Sequence, residues 1–272
     1  MRKMTLKEAA AILSRAEIEN PLYDARVIFS EIGGIPLSRL VLEGEVEDGS
    51  PTALAIERRA LRIPLEYVIG SVDFYREKYL VGEGCLIPRD DTELLVDFAV
   101  KNIPHGASFV DLCTGSGCIA LSVLNNTEAT RAAAVDISPE AIAFARKNAE
   151  RLGLLKRVEL RLCDALSEPV TERCFAVLSN PPYVTESEYP TLSREIKHEP
   201  KIAFVGGENG LIFYRVITEK YKGIIDKEGF IAFEIGATQA AALREIAEKN
   251  EMSCEIVRDL SGNDRLAVLR RV

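Results

Sequence analysis

From residue 108 onward the chain alternates short β-rich runs with helical ones, and that alternation predicts a parallel sheet with helices on both faces. Strand-like runs cover 108–112, 132–135, 158–161 and 175–178, with helical runs at 119–124 and 139–151 between them. A helix over 209–225, a strand over 229–235 and a helix over 238–249 follow, then a strand pair over 254–257 and 265–269. Ser261-Gly262-Asn263 lies between the last two and reads as a turn, so one antiparallel strand is expected at the end of the sheet.

The first sixty residues are punctuated differently. Thr5-Leu6-Lys7-Glu8 is a capping box, and Ala9, Ile12, Leu13 and Ala16 follow at helical spacing. Asn20-Pro21 and Ser50-Pro51 each give a cap followed by a first-turn proline, and Gly33-Gly34 closes the helix between them. This predicts a small helical bundle. Over 67–81 the pattern shortens to β-like runs around Phe74 and Tyr75, and Gly82, Gly84 and Pro88 mark a connection. The expected division is a helical domain over 1–80, a β-hairpin linker to about 88, and an α/β domain over 89–272.

Composition removes several function classes. No apolar run approaches the roughly 18 residues that span a bilayer, and charges interrupt the first residues too often for a signal-peptide core. Cytoplasm is therefore the expected location. Six cysteines without a CxxC pair indicate neither zinc knuckle nor disulfide frame and read as small buried residues. Two histidines leave little material for a metal site or a Ser/His/Asp triad, so no metal is expected. Residues 1–80 hold 11 basic and 13 acidic side chains within a chain of net charge −8, which lacks the basic footprint of a protein that grips nucleic acid. Arg58, Arg59 and Arg62 are the candidate for a local basic patch, with a solvated helix face as the preferred reading.

In doubly wound sheets ligands bind outside the carboxyl ends of the strands, where glycine turns let the backbone come close. Asp111-Leu112-Cys113-Thr114-Gly115-Ser116-Gly117 stands at such a turn, although Gly115-x-Gly117-x-x-Ala120 fits a dinucleotide fingerprint as well. Asp136, about 20 residues on, ends the next strand, where a carboxylate can accept both ribose hydroxyls of an adenosine ligand. Asp164 is placed to accept from an exocyclic amine, with Ala165 beside the ring, or else to cap its own turn.

Ser179-Asn180-Pro181-Pro182-Tyr183 follows the fourth strand. Two prolines stiffen the backbone and cannot donate, so the Asn180 side-chain oxygen and the Pro181 carbonyl can act as paired acceptors. An amide nitrogen is a poor nucleophile because its lone pair is delocalised. Two acceptors on its N–H bonds orient it and favour the positive charge that grows as it attacks a methyl group. Tyr183 offers a flat face for a planar group. Adenine-N6 and guanine-N2 nucleic-acid methylation use the same tetrapeptide chemistry, and a non-catalytic S-adenosylmethionine-binding module is the alternative from another class. The acidic balance argues against the nucleic-acid reading.

These blocks together resemble the HemK/PrmC family of protein-(glutamine-N5) methyltransferases, which modify peptide-chain release factors. The resemblance runs from about Glu66 and includes Glu66-Tyr67-x-x-Gly70, Phe74-Tyr75, Ile87-Pro88-Arg89-x-Asp91-Thr92-Glu93, Asp111 to Gly117, Asp136-Ile137-Ser138 and Asn180 to Tyr183. Glu199-Pro200, Gly206-Gly207 with Gly210, and Glu234-Ile235-Gly236 complete it. It implies a class I S-adenosylmethionine-dependent methyltransferase fold, Rossmann-like with a mostly parallel seven-stranded sheet, and a small N-terminal helical domain. It also implies S-adenosyl-L-methionine held by Asp111, Cys113, Thr114, Gly115, Ser116, Gly117, Asp136, Ile137, Asp164, Ala165 and Asn180, beneath the segment from Pro88 to Glu93. The substrate glutamine would meet Asn180, Pro181, Pro182 and Tyr183, with Asn180, Pro181 and Tyr183 carrying the catalysis. Class-1 release factors are the implied protein substrate, with no stable nucleic-acid partner and no membrane. Residues 1–80 hold none of these motifs and are expected to serve substrate recognition. Cys113 and Asp90 stand where the family usually has Gly and Pro, so a thiol must fit a glycine's place and the 88–93 segment should loosen. Ala165 stands where an aromatic residue is often found.

Overall fold

The computed structural model describes residues 2–40, 44–129 and 131–272. It divides into two units, one formed by residues up to Ser71 with Ser193–His198, the other by Val72–Leu192 with Glu199–Val272.

In the first unit, β1 (Lys3–Thr5) leads into α1 (Leu6–Arg15), where Thr5 Oγ1 accepts from Glu8 N at 3.2 Å and Glu8 returns the bond to Thr5 N at 2.8 Å. The expected capping box is therefore formed. α2 (Pro21–Glu31) starts at the expected proline, but Asn20 makes no side-chain cap because its backbone, at φ −121° and ψ 64°, is not that of an ordinary cap residue. A short strand β2 (Glu45–Glu47) pairs with β1, a ladder too brief to leave a period-2 pattern. α3 (Pro51–Ala60) is capped by Ser50, and α4 (Leu65–Ile69) ends at Gly70. Tyr67 is thus helical rather than part of a β-like run. Ala9, Leu13, Ile28, Phe29, Ile56 and Val68 form the apolar core.

The Arg58–Arg62 reading is corrected by burial. Arg58 is exposed, but Arg59 is buried and donates to Asp24 Oδ2 at 2.7 Å, both side chains being under a tenth exposed. Arg62 lies near Glu195 at 3.1 Å and donates to the Ala16 carbonyl at 2.8 Å. A cation on a helix face becomes interior when another element supplies the counter-charge, and nothing local in the sequence announces that.

The second unit opens with the hairpin of β3 (Ser71–Phe74) and β4 (Glu77–Leu80). Buried Glu77 holds it by accepting from Ser122 Oγ at 2.9 Å and from Asn125 and Asn126, each at 2.8 Å. Then come α5 (Glu93–Asn102), which the sequence reading did not anticipate, β5 (Ser108–Leu112), α6 (Cys118–Asn126), β6 (Arg131–Asp136), α7 (Pro139–Arg151) and β7 (Val158–Leu162). The chain continues through β8 (Cys174–Ser179), α8 (Ile212–Tyr221), β9 (Ile225–Glu234), α9 (Ala240–Lys249), β10 (Met252–Arg258) and β11 (Asp264–Arg271). α8 is shorter than the expected 209–225 and stops before Gly223, a poor helix residue.

The seven strands run in the order β10-β11-β9-β8-β5-β6-β7. β5 to β9 are parallel, and β11 is antiparallel to both β9 and β10. The antiparallel strand is therefore second from the edge, not at it, because the turn closed by Asp259 N on the Asn263 carbonyl at 2.9 Å folds β11 back between β9 and β10. Helices α5, α6 and α7 pack on one face around Leu95, Ile119, Leu124 and Phe230. On the other, α8 and α9 cover Leu112, Val135, Phe233 and Leu243. This is the class I methyltransferase fold, Rossmann-like, with the C-terminal ends of five parallel strands on one edge. Three of the six free cysteines, Cys85, Cys118 and Cys174, are buried; Cys113, Cys163 and Cys254 are partly exposed. No helix of the described residues is long and apolar enough to cross a membrane.

Candidate active site

At that edge lies a cleft of about 250 Å³. Of the residues singled out from the sequence, Cys113, Thr114, Gly115, Ser116, Asp136, Ile137, Asp164, Ala165, Asn180 and Pro182 line it, joined by Pro88, Arg89 and Thr92. Asp111, Gly117, Pro181 and Tyr183 do not line it; Asp111 and Pro181 are buried and Tyr183 is half-buried. The parallel register explains the gathering, since β5, β6 and β8 end side by side, with Leu112 opposite Val135 and Ser179.

The glycine loop is held by carboxylates. Asp111 is fully buried and its Oδ2 accepts from Thr114 Oγ1 at 2.5 Å and from Ala120 N at 3.1 Å, tying the strand end to the start of α6. Among the described residues its Oδ1 has no hydrogen-bond partner, and Ser116 Oγ has none apart from the neighbouring Cys118 thiol. Burial pushes the Asp111 carboxyl from 3.8 to about 7, against those two bonds. Asp136 accepts Gly115 N through Oδ2 at 2.8 Å and Ser138 N through Oδ1 at 2.9 Å, and burial raises its pKa as well. Asp164 lines the cleft while its oxygens cap its own turn, on Leu166 N and Ser167 Oγ, both at 2.9 Å. The turn-cap alternative is thus realised alongside the cleft position.

Cys113 does take the left-handed backbone that its glycine-like position demands, with φ 59°. Burial pushes its thiol above the ordinary range, so it is neutral near pH 7. The 88–93 segment has regular local structure where Asp90 replaces proline. It forms a 3-10 turn over Asp90–Thr92, closed by Thr92 N on the Arg89 carbonyl at 2.9 Å. Arg89 pairs with buried Glu199, which also accepts from Ile87 N at 3.0 Å.

At the other end of the cleft the Asn180 amide donates through Nδ2 to Thr92 Oγ1 at 3.0 Å. Thr92 Oγ1 donates in turn to Glu234 Oε2 at 2.6 Å, and Tyr183 OH donates to Glu234 Oε1 at 3.2 Å. The backbone behind this turn is gripped from below. A Cβ on Gly206 would stand 2.3 Å from the Pro182 carbonyl and one on Gly210 would stand 2.2 Å from the Tyr183 carbonyl, so only glycine fits at either position. Gln239 Nε2 donates to that same Tyr183 carbonyl at 3.1 Å. Thr92, Glu199, Gly206, Gly210 and Glu234 stood inside the recognised blocks without a role; their contacts are long-range, and no spacing rule brings them together. Gln239 and Asn148 lay outside every block. Asn148 bridges the hairpin and the glycine loop by donating to the carbonyls of Leu80 and Ser116 at 3.0 and 2.9 Å.

Two family descriptions match the chain: "PrmC N-terminal domain" over residues 5–70 and "Methyltransferase small domain" over residues 90–227. A release factor glutamine methyltransferase of Thermodesulfovibrio yellowstonii is 41% identical over 79% of this chain and 79% of its own length. That of Moorella thermoacetica is 34% identical over 97% of this chain and 96% of its own, and that of Clostridium acetobutylicum 34% over 99% and 98%. Among solved structures, a ribosomal protein L11 methylase from Lactobacillus delbrueckii subsp. bulgaricus shares the fold, with a TM-score of 0.51 at 16% identity over 68% of this chain and 80% of that one.

Proposed function

We propose that this chain, which belongs to the release factor glutamine methyltransferase family, transfers the methyl group of S-adenosyl-L-methionine to the N5 nitrogen of the glutamine in the Gly-Gly-Gln loop of class-1 release factors. The observation that carries the reading is that Asn180 and the glycine loop line one cleft, so a methyl donor and a planar amide can meet there. The donor set suits the methyl donor. Asp136, which lines the cleft, carries a carboxylate whose oxygens each accept one backbone N–H and keep lone pairs for hydroxyls, and Ser116 and Asp164 line the same cleft. When bound, S-adenosyl-L-methionine supplies a methyl group activated on a sulfonium centre.

The residues of the chain then bind and orient. Asn180 Oδ1 accepts an N–H bond of the substrate amide, holding its lone pair toward the methyl group and favouring the charge that develops on nitrogen; the Pro181 carbonyl, the second acceptor expected from the sequence, belongs to a buried residue off the cleft lining. No side chain has to remove a proton beforehand, since the nitrogen becomes acidic only once it is positive; that proton leaves to water afterwards. The helical unit serves recognition of the body of the release factor, because a cleft that accepted any exposed glutamine would not discriminate. In this reading the enzyme works in the cytoplasm, without a stable nucleic-acid complex. The test is to incubate the chain with purified release factor and S-adenosyl-L-methionine and locate the methyl group by mass spectrometry of tryptic peptides. A methyl group anywhere but the loop glutamine, or none, overturns the reading. Removing residues up to Ser71 should raise KM for whole factor far more than for a short loop peptide; equal changes would assign that unit to fold stability.

A further inference from the structure

A side-chain amide has two unlike ends, and the acceptor role given to Asn180 holds only if its oxygen, not its nitrogen, faces the substrate. With the nitrogen turned inward, two N–H groups would oppose each other and the substrate amide would be repelled rather than gripped. Something in the protein must choose the end. Among the described residues Asn180 has one side-chain hydrogen bond, from Nδ2 to Thr92 Oγ1, so Nδ2 is turned to Thr92. Thr92 has a single hydroxyl proton, and that proton is committed to Glu234 Oε2 at 2.6 Å. The hydroxyl can therefore offer Asn180 only a lone pair, and the amide must donate to it.

We propose that Glu234 is a positioning residue of the reaction: through Thr92 it sets which end of the Asn180 amide faces the cleft, and through the Tyr183 hydroxyl it anchors the other end of the Asn180-to-Tyr183 turn. This rests on the reading above that Asn180 accepts from the substrate nitrogen. A carboxylate suits the task because it can accept two O–H bonds at once, whereas a glutamine accepts at one end and donates at the other. The fold brings the parts together. Glu234 is the last residue of β9, beside the end of β8 where Ser179 stands opposite Phe233, while Thr92 immediately precedes α5 at 2% exposure. The carboxylate is itself 2% exposed, and the Glu234 main-chain carbonyl accepts from Tyr214 OH at 3.0 Å. It has no freedom to leave Thr92 for water.

Thr92→Val keeps the shape and removes the hydroxyl; Thr92→Ser restores it. With full-length enzyme and a loop peptide, Thr92→Val should lower kcat about tenfold or more, since a misplaced reacting group costs on the order of 10²-fold. KM and cofactor affinity measured by calorimetry should stay near wild type, the thermal midpoint should fall because Glu234 Oε2 is left buried without that partner, and Thr92→Ser should recover most of kcat and of the midpoint. Glu234→Gln should lower kcat as well, because it cannot accept from Thr92 and Tyr183 together. Thr92→Val turnover within about threefold of wild type overturns the proposal, as does a kcat loss that Thr92→Ser fails to recover, which would be packing. A Glu234→Gln enzyme that loses only thermal stability overturns it too. Nitrogen-15 NMR of the Asn180 side-chain amide separates this idea from the functional reading. Protected Nδ2 protons in wild type that become unprotected in Thr92→Val support the relay even if wild type methylates no release factor; unprotected protons in wild type sink it.

Discussion

The two ends of the cleft are built by different means. At the mouths of β5 and β6 the lining is a glycine loop, contiguous in sequence, with the Thr114 hydroxyl tied to Asp111 and the Gly115 amide tied to Asp136. At the mouths of β8 and β9 one asparagine is set by a threonine 88 residues away, which is set in turn by a glutamate 142 residues away. The glycine-loop end leaves polar capacity unspent, with Asp111 Oδ1 buried and, among the described residues, without a hydrogen-bond partner. The acceptor end spends both oxygens of Glu234 within the protein. The difference teaches that the first end keeps polar capacity in reserve, with Ser116 and Asp136 lining the cleft, whereas the second is shaped to hold one side chain still.

The contrast can be broken first at Asp111. Its folded carboxyl sits near 7 against an ordinary 3.8 because burial opposes its charge. A raised acid pKa stabilises the fold below the ordinary value, and that contribution is lost as pH rises from about 4 to about 7. The difference corresponds to about 4 kcal/mol once pH passes 7. Denaturant titrations of wild type and Asp111→Asn without ligand should show wild type losing stability relative to the variant over that window. A constant offset across pH would mean the carboxylate is already neutralised by an interaction inside the fold, and the claim of unspent capacity would fall.

Asn180→Ala comes next. It should lower kcat by on the order of 10² to 10³, as removal of one preorganised polar group does at a centre where charge develops, with cofactor affinity near wild type. Turnover within about threefold would end the amide-clamp mechanism. Asp136→Ala probes the opposite end and should weaken S-adenosyl-L-methionine binding by about 1.5–3 kcal/mol through the lost bonds to a charged acceptor. Calorimetry reads this directly, and an unchanged affinity would remove Asp136 from the donor site. Loss of kcat on loop peptide at saturating donor would show that the two ends are not separable.

How much of this was legible follows from the same contrast. The glycine loop, Asp136 and the Asn180 turn could be read because each is a local backbone device whose residues adjoin in sequence. Cys113 looked like a misfit there, yet the backbone holds it at φ 59°. The sheet was legible strand by strand, but β11 was misplaced because strand order depends on how a hairpin folds back, which alternation does not encode. Arg59 was misread because its partner Asp24 lies 35 residues away. Glu234 and Thr92 stood inside recognised blocks without a role for a like reason: a relay through a buried hydroxyl leaves no periodicity and no motif spacing.

The smallest expected effect is the most pointed test of the acceptor end. Tyr183→Phe keeps the ring and its packing but deletes the hydroxyl that donates to Glu234 Oε1 at 3.2 Å. Burial, reinforced by the neighbouring Glu234, pushes that phenol well above its ordinary range, so it stays protonated and can only donate to the carboxylate at any usable assay pH. One such bond is worth about 0.5–1.5 kcal/mol net, or roughly threefold to tenfold in kcat if the anchoring is felt in the transition state. The variant leaves Thr92 and Glu234 in place, so Asn180 keeps its orientation and the loss should stay far below that of Asn180→Ala. Steady-state kcat on the loop peptide, with calorimetry of the methyl donor as control, decides the matter. A loss above 100-fold would make the hydroxyl a participant in the chemistry and not an anchor. No loss at all would leave Glu234 acting through Thr92 alone, reducing the acceptor end to a single chain of bonds from β9 to Asn180.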